Sequence, residues 1–75
     1  MAKFEYFVDR QTREEIGHEL WKLRQEKHLL LHQVQNRIHI PDRIIDRIET
    51  GRCLNYGVVR KLITFYGKKM RVVFE

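Results

Sequence analysis

The sequence predicts a mainly α-helical fold: a bundle of four or so helices with a short β-strand at each end. Three observations predict it. Apolar residues recur at helical spacing in the first half of the chain, where Ile16, Leu20 and Leu23 fall at i, i+4 and i+7. Start and stop residues divide the middle of the chain into segments: Thr12 with Glu15, then Pro41, Gly51, Asn55 and Gly67. The two ends differ from that middle. Lys3 to Asp9 alternates, and Met70 to Phe74 concentrates β-branched and aromatic residues.

Taken in order, the first strand sets Phe4, Tyr6 and Val8 on one side, with Phe7 breaking the polar side. Thr12 followed by Glu15 fits a capping box, so a helix is predicted to start near residue 13. Within it, Gly17 weakens the helix but permits close approach of a neighbouring element. Lys27 and His28 suit the negative end of the helix dipole, and the helix should end there. A second helix is predicted over Leu31 to Ile38, with Val34 and Ile38 inward. Pro41 then opens a third as its first helical residue, because its fixed angle and missing amide suit that position. Ile44 or Ile45, with Ile48, packs this helix inward, and Gly51 ends it in a left-handed conformation. Asn55 caps a fourth helix running to Tyr66, with Val58 or Val59, Leu62, and Phe65 or Tyr66 apolar. Gly67 closes it, and the second strand follows. The layout is one domain over residues 1–75: an arm or strand over 1–11, a helical core over 12–66 and a strand over 68–75.

With 75 residues the chain buries only a small core, and pairing of two copies adds apolar burial. The net charge of +5 is unevenly placed. Residues 1–42 carry seven Lys/Arg against seven Asp/Glu, whereas residues 43–75 carry eight against three. A localised basic surface suits a polyanion such as DNA, and equally a solvated face kept for solubility. The single Cys53 cannot form an internal disulfide. With no signal-peptide layout and no apolar run of membrane-spanning length, the expectation is a cytoplasmic protein with no membrane partner.

Residues 16–51, IGHELWKLRQEKHLLLHQVQNRIHIPDRIIDRIETG, carry a family pattern. Leu23-Arg24-Gln25-Glu26-Lys27 closes the first helix, and Ile45-Asp46-Arg47-Ile48-Glu49-Thr50-Gly51 closes the third. This stretch resembles the DNA-binding domain of the Cro/CI-like (Xre) family of bacterial and phage repressors, over about half the chain. The resemblance implies a lambda-repressor-like helix-turn-helix bundle whose third helix enters the major groove. Carried over residue by residue, it implies base-facing positions at Asp42, Arg43 and Arg47. It implies phosphate contacts from His32, Gln33 and Arg52, and an ion pair of Arg24 with Glu49 that joins the first and third helices. Arg43 and Arg47 are four apart and share a face, and each can grip a guanine with two donors. The alternative is that both simply solvate an exposed helix.

The tail from Gly67 to Phe74 is similar to the terminal strand of HipB-type antitoxins, which implies a homodimer closed by a small intermolecular sheet through Met70, Val72, Val73 and Phe74. The chain departs from the family pattern at several places. Leu30 and Leu31 replace the polar residues that open the second helix. Gln35 replaces a small Ala, and His39 a Gly in the turn. Asp42 and Asp46 place two negative charges on the third helix, and Ile44 replaces a small polar residue.

The expected function is therefore a dimeric, sequence-specific DNA-binding regulator, a repressor or antitoxin-like protein, whose partners are double-stranded DNA, a second copy and, for an antitoxin, a toxin or other protein. A competing reading is a protein-binding helix-turn-helix adaptor. Residues 58–67, VVRKLITFYG, weakly resemble the aromatic-bearing fourth helix of RodZ-type cytoskeletal proteins, so Tyr56 or Tyr66 is either a partner hot spot or filling for a dimer interface. An enzyme is not expected, because no nucleophile–base pair and no Gly-rich phosphate loop is visible. Glu14, Glu15 and Glu19 read as a solvated helix face. His18, His28, His32 and His39 lack Cys or carboxylate at ligand spacing, so neither a metal nor any other cofactor is expected.

Overall fold

The computed structural model describes residues 9–69, which form four helices. They are α1 (Arg10–Glu26), α2 (Leu31–Ile38), α3 (Asp42–Glu49) and α4 (Tyr56–Phe65). Of the predicted strands, residues 3–8 of the first and 70–75 of the second lie outside the described residues; Asp9, Lys68 and Lys69 are described, and no strand occurs among the described residues.

The start of α1 corrects the sequence reading. Asp9, placed above at the end of a strand, is the N-cap: its Oδ1 accepts the Thr12 amide at 2.7 Å. Arg10 and Gln11 belong to the helix rather than to an arm, and Thr12 sits inside the first turn. A carboxylate at the positive end of a helix dipole is a stronger acceptor than a hydroxyl one turn later. The same hydrogen bond, above all, holds the Asp9 carboxyl below its usual range. Glu15 does not reach back to Thr12; its carboxylate accepts instead from Gln11 Nε2 at 3.3 Å.

The other helix ends are local devices. Lys27 caps α1, and His28 turns the chain out with φ of 54°. Leu30 opens α2 without a side-chain acceptor of its own, but Gln33 Oε1 accepts the Leu30 amide at 2.7 Å, which is half of a capping box. His39 ends α2 in the left-handed region at φ 60°, ψ 37°. Pro41 stands one position earlier than predicted: with ψ of 138° it is the N-cap of α3, not its first helical residue. Gly51 (φ 77°) ends α3, Asn55 Oδ1 accepts the Val58 amide at 3.1 Å to start α4, and Gly67 (φ 79°) follows its end.

The core comprises Leu20, Val34, Ile40, Ile45, Ile48, Val59, Leu62 and Tyr66. Helix α1 packs on α3, and α2 packs on both α3 and α4. Packing settles the pairs that periodicity left open: Ile45 is buried and Ile44 half-buried, Val59 is buried and Val58 half-buried, Tyr66 is buried and Phe65 half-buried. Ile40 is the buried anchor of the turn between α2 and α3. Gly17 is where α1 meets α3. A Cβ there would lie against the carbonyl oxygen of Ile48 and 2.6 Å from that of Glu49, so only glycine lets the two backbones touch. No helix among the described residues is long and apolar enough to cross a membrane.

Tyr66 is 2% exposed, and its hydroxyl has no hydrogen-bond partner among the described residues. An unsatisfied buried hydroxyl costs about 1–3 kcal/mol of desolvation. Burial, reinforced by the negative charge of Glu49, pushes the phenol up to about 12. The unfolded chain ionises near pH 10, so this group's contribution is intact below about pH 10 and is lost as pH rises through about 12. Tyr66→Phe should therefore be at least as stable as wild type in urea at neutral pH, and should lack this component of alkaline destabilisation. A weakened variant at neutral pH would mean that the hydroxyl does have a partner in solution.

Candidate nucleic-acid interface

Helix α3 has two sides. At 100° per residue, Ile45, Ile48 and Glu49 fall on one arc and are buried, whereas Arg43, Asp46 and Arg47 fall on the opposite arc and are exposed. Asp42 lies between the arcs and is half-buried. The helix thus presents Arg43 and Arg47, one turn apart, with Asp46 beside them. None of Arg43, Arg47 and Arg52 forms an ion pair or side-chain hydrogen bond among the described residues. Their donors are unclaimed, whereas Arg10 and Lys22 on α1 are paired with Glu14 and Glu19.

Arg52 is brought next to this stripe by the left-handed Gly51. Its backbone amide donates to the Arg47 carbonyl at 2.9 Å, which starts the loop at the end of α3. A Cβ on Gly51 would meet Glu14 Cα at 2.9 Å, so α1 presses on that turn and holds it. The Arg13 guanidinium also donates to the Gly51 carbonyl at 3.2 Å. His32 and Gln33 are both exposed on the first turn of α2. Gln33 has its side-chain oxygen committed to the Leu30 amide, which leaves Nε2 as its remaining donor.

Arg24 and Glu49 stand behind α3. Arg24 Nε donates to Glu49 Oε2 at 2.8 Å and Nη2 to Glu49 Oε1 at 2.9 Å, a two-pronged pair between side chains only 9% and 4% exposed. The third arm of Arg24, Nη1, donates to the Leu29 carbonyl at 2.9 Å. Hydrogen bonding to Glu49 raises the guanidinium above its already high ordinary value, so it stays charged. This cluster bolts α1, the following loop and the end of α3 together. None of it faces the outer arc of α3.

One contact of the region escapes sequence reading. Gln35, on α2, accepts the Asp42 amide at 2.7 Å with its side-chain oxygen, and only the folded turn brings the two together. Asp46, already expected as a negative charge on this helix, is exposed on the same arc as the two arginines, one turn beyond Asp42. Met70, Val72, Val73 and Phe74, the proposed dimer strand, lie outside the described residues. Among the described residues no three His, Cys, Asp or Glu side chains cluster at a metal-sized site. A shallow groove of about 600 Å³ is lined by Ile38 at the end of α2 and by Gly57, Arg60, Lys61, Thr64 and Phe65 of α4.

Comparison of the chain with protein-family models, with curated proteins and with solved structures found no match.

Proposed function

We propose that the protein is a sequence-specific, double-stranded-DNA-binding helix-turn-helix regulator that acts as a homodimer in the cytoplasm. The observation that carries this reading is the outer arc of α3. Two arginines one turn apart, their donors unclaimed among the described residues, stand on a helix joined to α2 by the tight turn His39-Ile40-Pro41. In the major groove each guanidinium matches the two acceptors of a guanine. Arg52, with His32 and Gln33, supplies phosphate contacts that give affinity without sequence choice. Asp42 and Asp46 repel phosphate and accept from cytosine amino groups, so they penalise most other placements of α3. Two copies closed by the strand of Met70, Val72, Val73 and Phe74 would read an inverted repeat with half-sites about 34–36 Å apart.

The test is selection of genomic fragments by the purified protein at physiological salt. A two-fold-symmetric enriched site is expected. Arg43→Ala should relax the preference at one base pair per half-site by about 1–3 kcal/mol. Arg52→Ala should weaken binding to all sequences alike and flatten the salt dependence. No enrichment by the folded wild type would overturn the reading. The second reading, a protein-binding adaptor, would then take precedence. It is supported by Tyr56, 58% exposed, which adjoins Gly57 of the groove along α4.

A further inference from the structure

Gln35 holds both sides of the turn between α2 and α3. Its backbone carbonyl accepts the His39 amide at 2.8 Å, the bond that ends α2 in the left-handed His39. Its side-chain oxygen accepts the Asp42 amide at 2.7 Å, at the first residue of α3. The assignment of that oxygen is forced by chemistry, since a backbone N–H can be met only by the carbonyl end of the carboxamide. The bond fills a specific gap. The N-cap of α3 is Pro41, which has no side-chain acceptor. The Ile44 and Ile45 amides donate to the Pro41 carbonyl, at 3.0 and 3.3 Å, and that arrangement does not reach Asp42. An uncapped first turn frays, because its amides have no partner within the helix.

We propose that Gln35 is a positioning residue for DNA reading. By capping α3 from the preceding helix, it fixes the first turn of α3 and so the direction in which Arg43 leaves the backbone. The role in base choice rests on the DNA-binding function proposed above; the cap itself does not. The residue also accounts for the departure at this position. A small side chain would let α2 and α3 approach but would leave Asp42 uncapped below Pro41, whereas Gln35 is long enough to cross the turn.

The test compares wild type with Gln35→Met, which keeps length and helix propensity but loses the oxygen, and with Gln35→Glu, which restores an acceptor. The first readout is amide hydrogen exchange at Asp42 in the free protein. Exchange should be at least about fivefold faster in Gln35→Met, the equivalent of one ordinary hydrogen bond, and should return towards wild type in Gln35→Glu. Unchanged exchange in Gln35→Met overturns the cap. The second readout is base preference in the fragment selection. Gln35→Met should lose discrimination at the base pair that Arg43→Ala also relaxes, with binding to unrelated DNA unchanged, and Gln35→Glu should recover it. Faster exchange with base preference intact would make the cap purely structural and overturn the positioning role. A wild type that selects no DNA overturns the base-choice part together with the DNA reading, while the exchange result still decides the cap.

Discussion

Glu49→Leu is expected to destabilise the protein by about 3–5 kcal/mol, the usual cost of leaving one charge of a buried pair without its partner. For a domain of this length the whole stability is on the order of 5–10 kcal/mol, so the variant should be largely unfolded on modest heating. The reason is the Arg24 guanidinium. It is 9% exposed, two of its three arms end on Glu49, and its raised pKa rules out escape by deprotonation. Arg24→Met should cost a similar amount, because it strands the Glu49 carboxylate. The double variant Arg24→Met/Glu49→Leu should recover most of the loss, since a matched apolar pair removes both desolvation penalties. Recovery should be incomplete, because the Leu29 carbonyl also loses its donor from Arg24 Nη1. Urea unfolding of the four proteins gives the coupling directly. Additive single effects would mean that the two groups are solvated and independent.

Gly17→Ala should also destabilise the protein, against the ordinary expectation for a helix interior. Alanine is better than glycine by about 1 kcal/mol in an exposed helix. Here the added methyl would meet the Ile48 and Glu49 carbonyl oxygens, which are backbone atoms at the end of α3 and cannot swing aside. Helix α1 would have to lift off α3, with a net loss of about 1–3 kcal/mol or more, and a Tm lowered on the order of 10–20 °C. Gly57→Ala is the internal control. On α4 the same methyl would meet only Asn55 Oδ1 at 3.4 Å, so that variant should be unchanged or slightly stabilised. Thermal unfolding followed by far-ultraviolet circular dichroism separates the two. A Gly17→Ala protein as stable as Gly57→Ala would show that α1 and α3 are less closely apposed in solution.

Legibility in the sequence followed the range of the interaction. Asn55, Gly51 and Gly67 act on backbone groups within a few residues, and each could be placed from its neighbours alone. The start of α1 differs because the capping pattern of Thr12 with Glu15 is local but not the one used: Asp9, expected at the end of a strand, takes the Thr12 amide with its carboxylate. Helical spacing alone placed Arg43 and Arg47 on one face. It could not choose between Ile44 and Ile45, because adjacent positions both border the apolar arc and only the packing of α1 and α2 on α3 decides which is covered.

Four helices, their ends to within a few residues, and the shared face of Arg43 and Arg47 on the third were thus legible from the residues alone. All of these are written in spacings of three or four residues and in residues with special backbone angles. Packing was needed to show that the end of α3 is what Gly17 approaches, that Gln35 caps a helix to which it does not belong, and that the Tyr66 hydroxyl is buried without a partner among the described residues. Each of these depends on atoms from separate elements coming within about 3–4 Å, the range of a hydrogen bond or a van der Waals contact. Such distances are set by how the helices pack, and a one-dimensional pattern does not contain them.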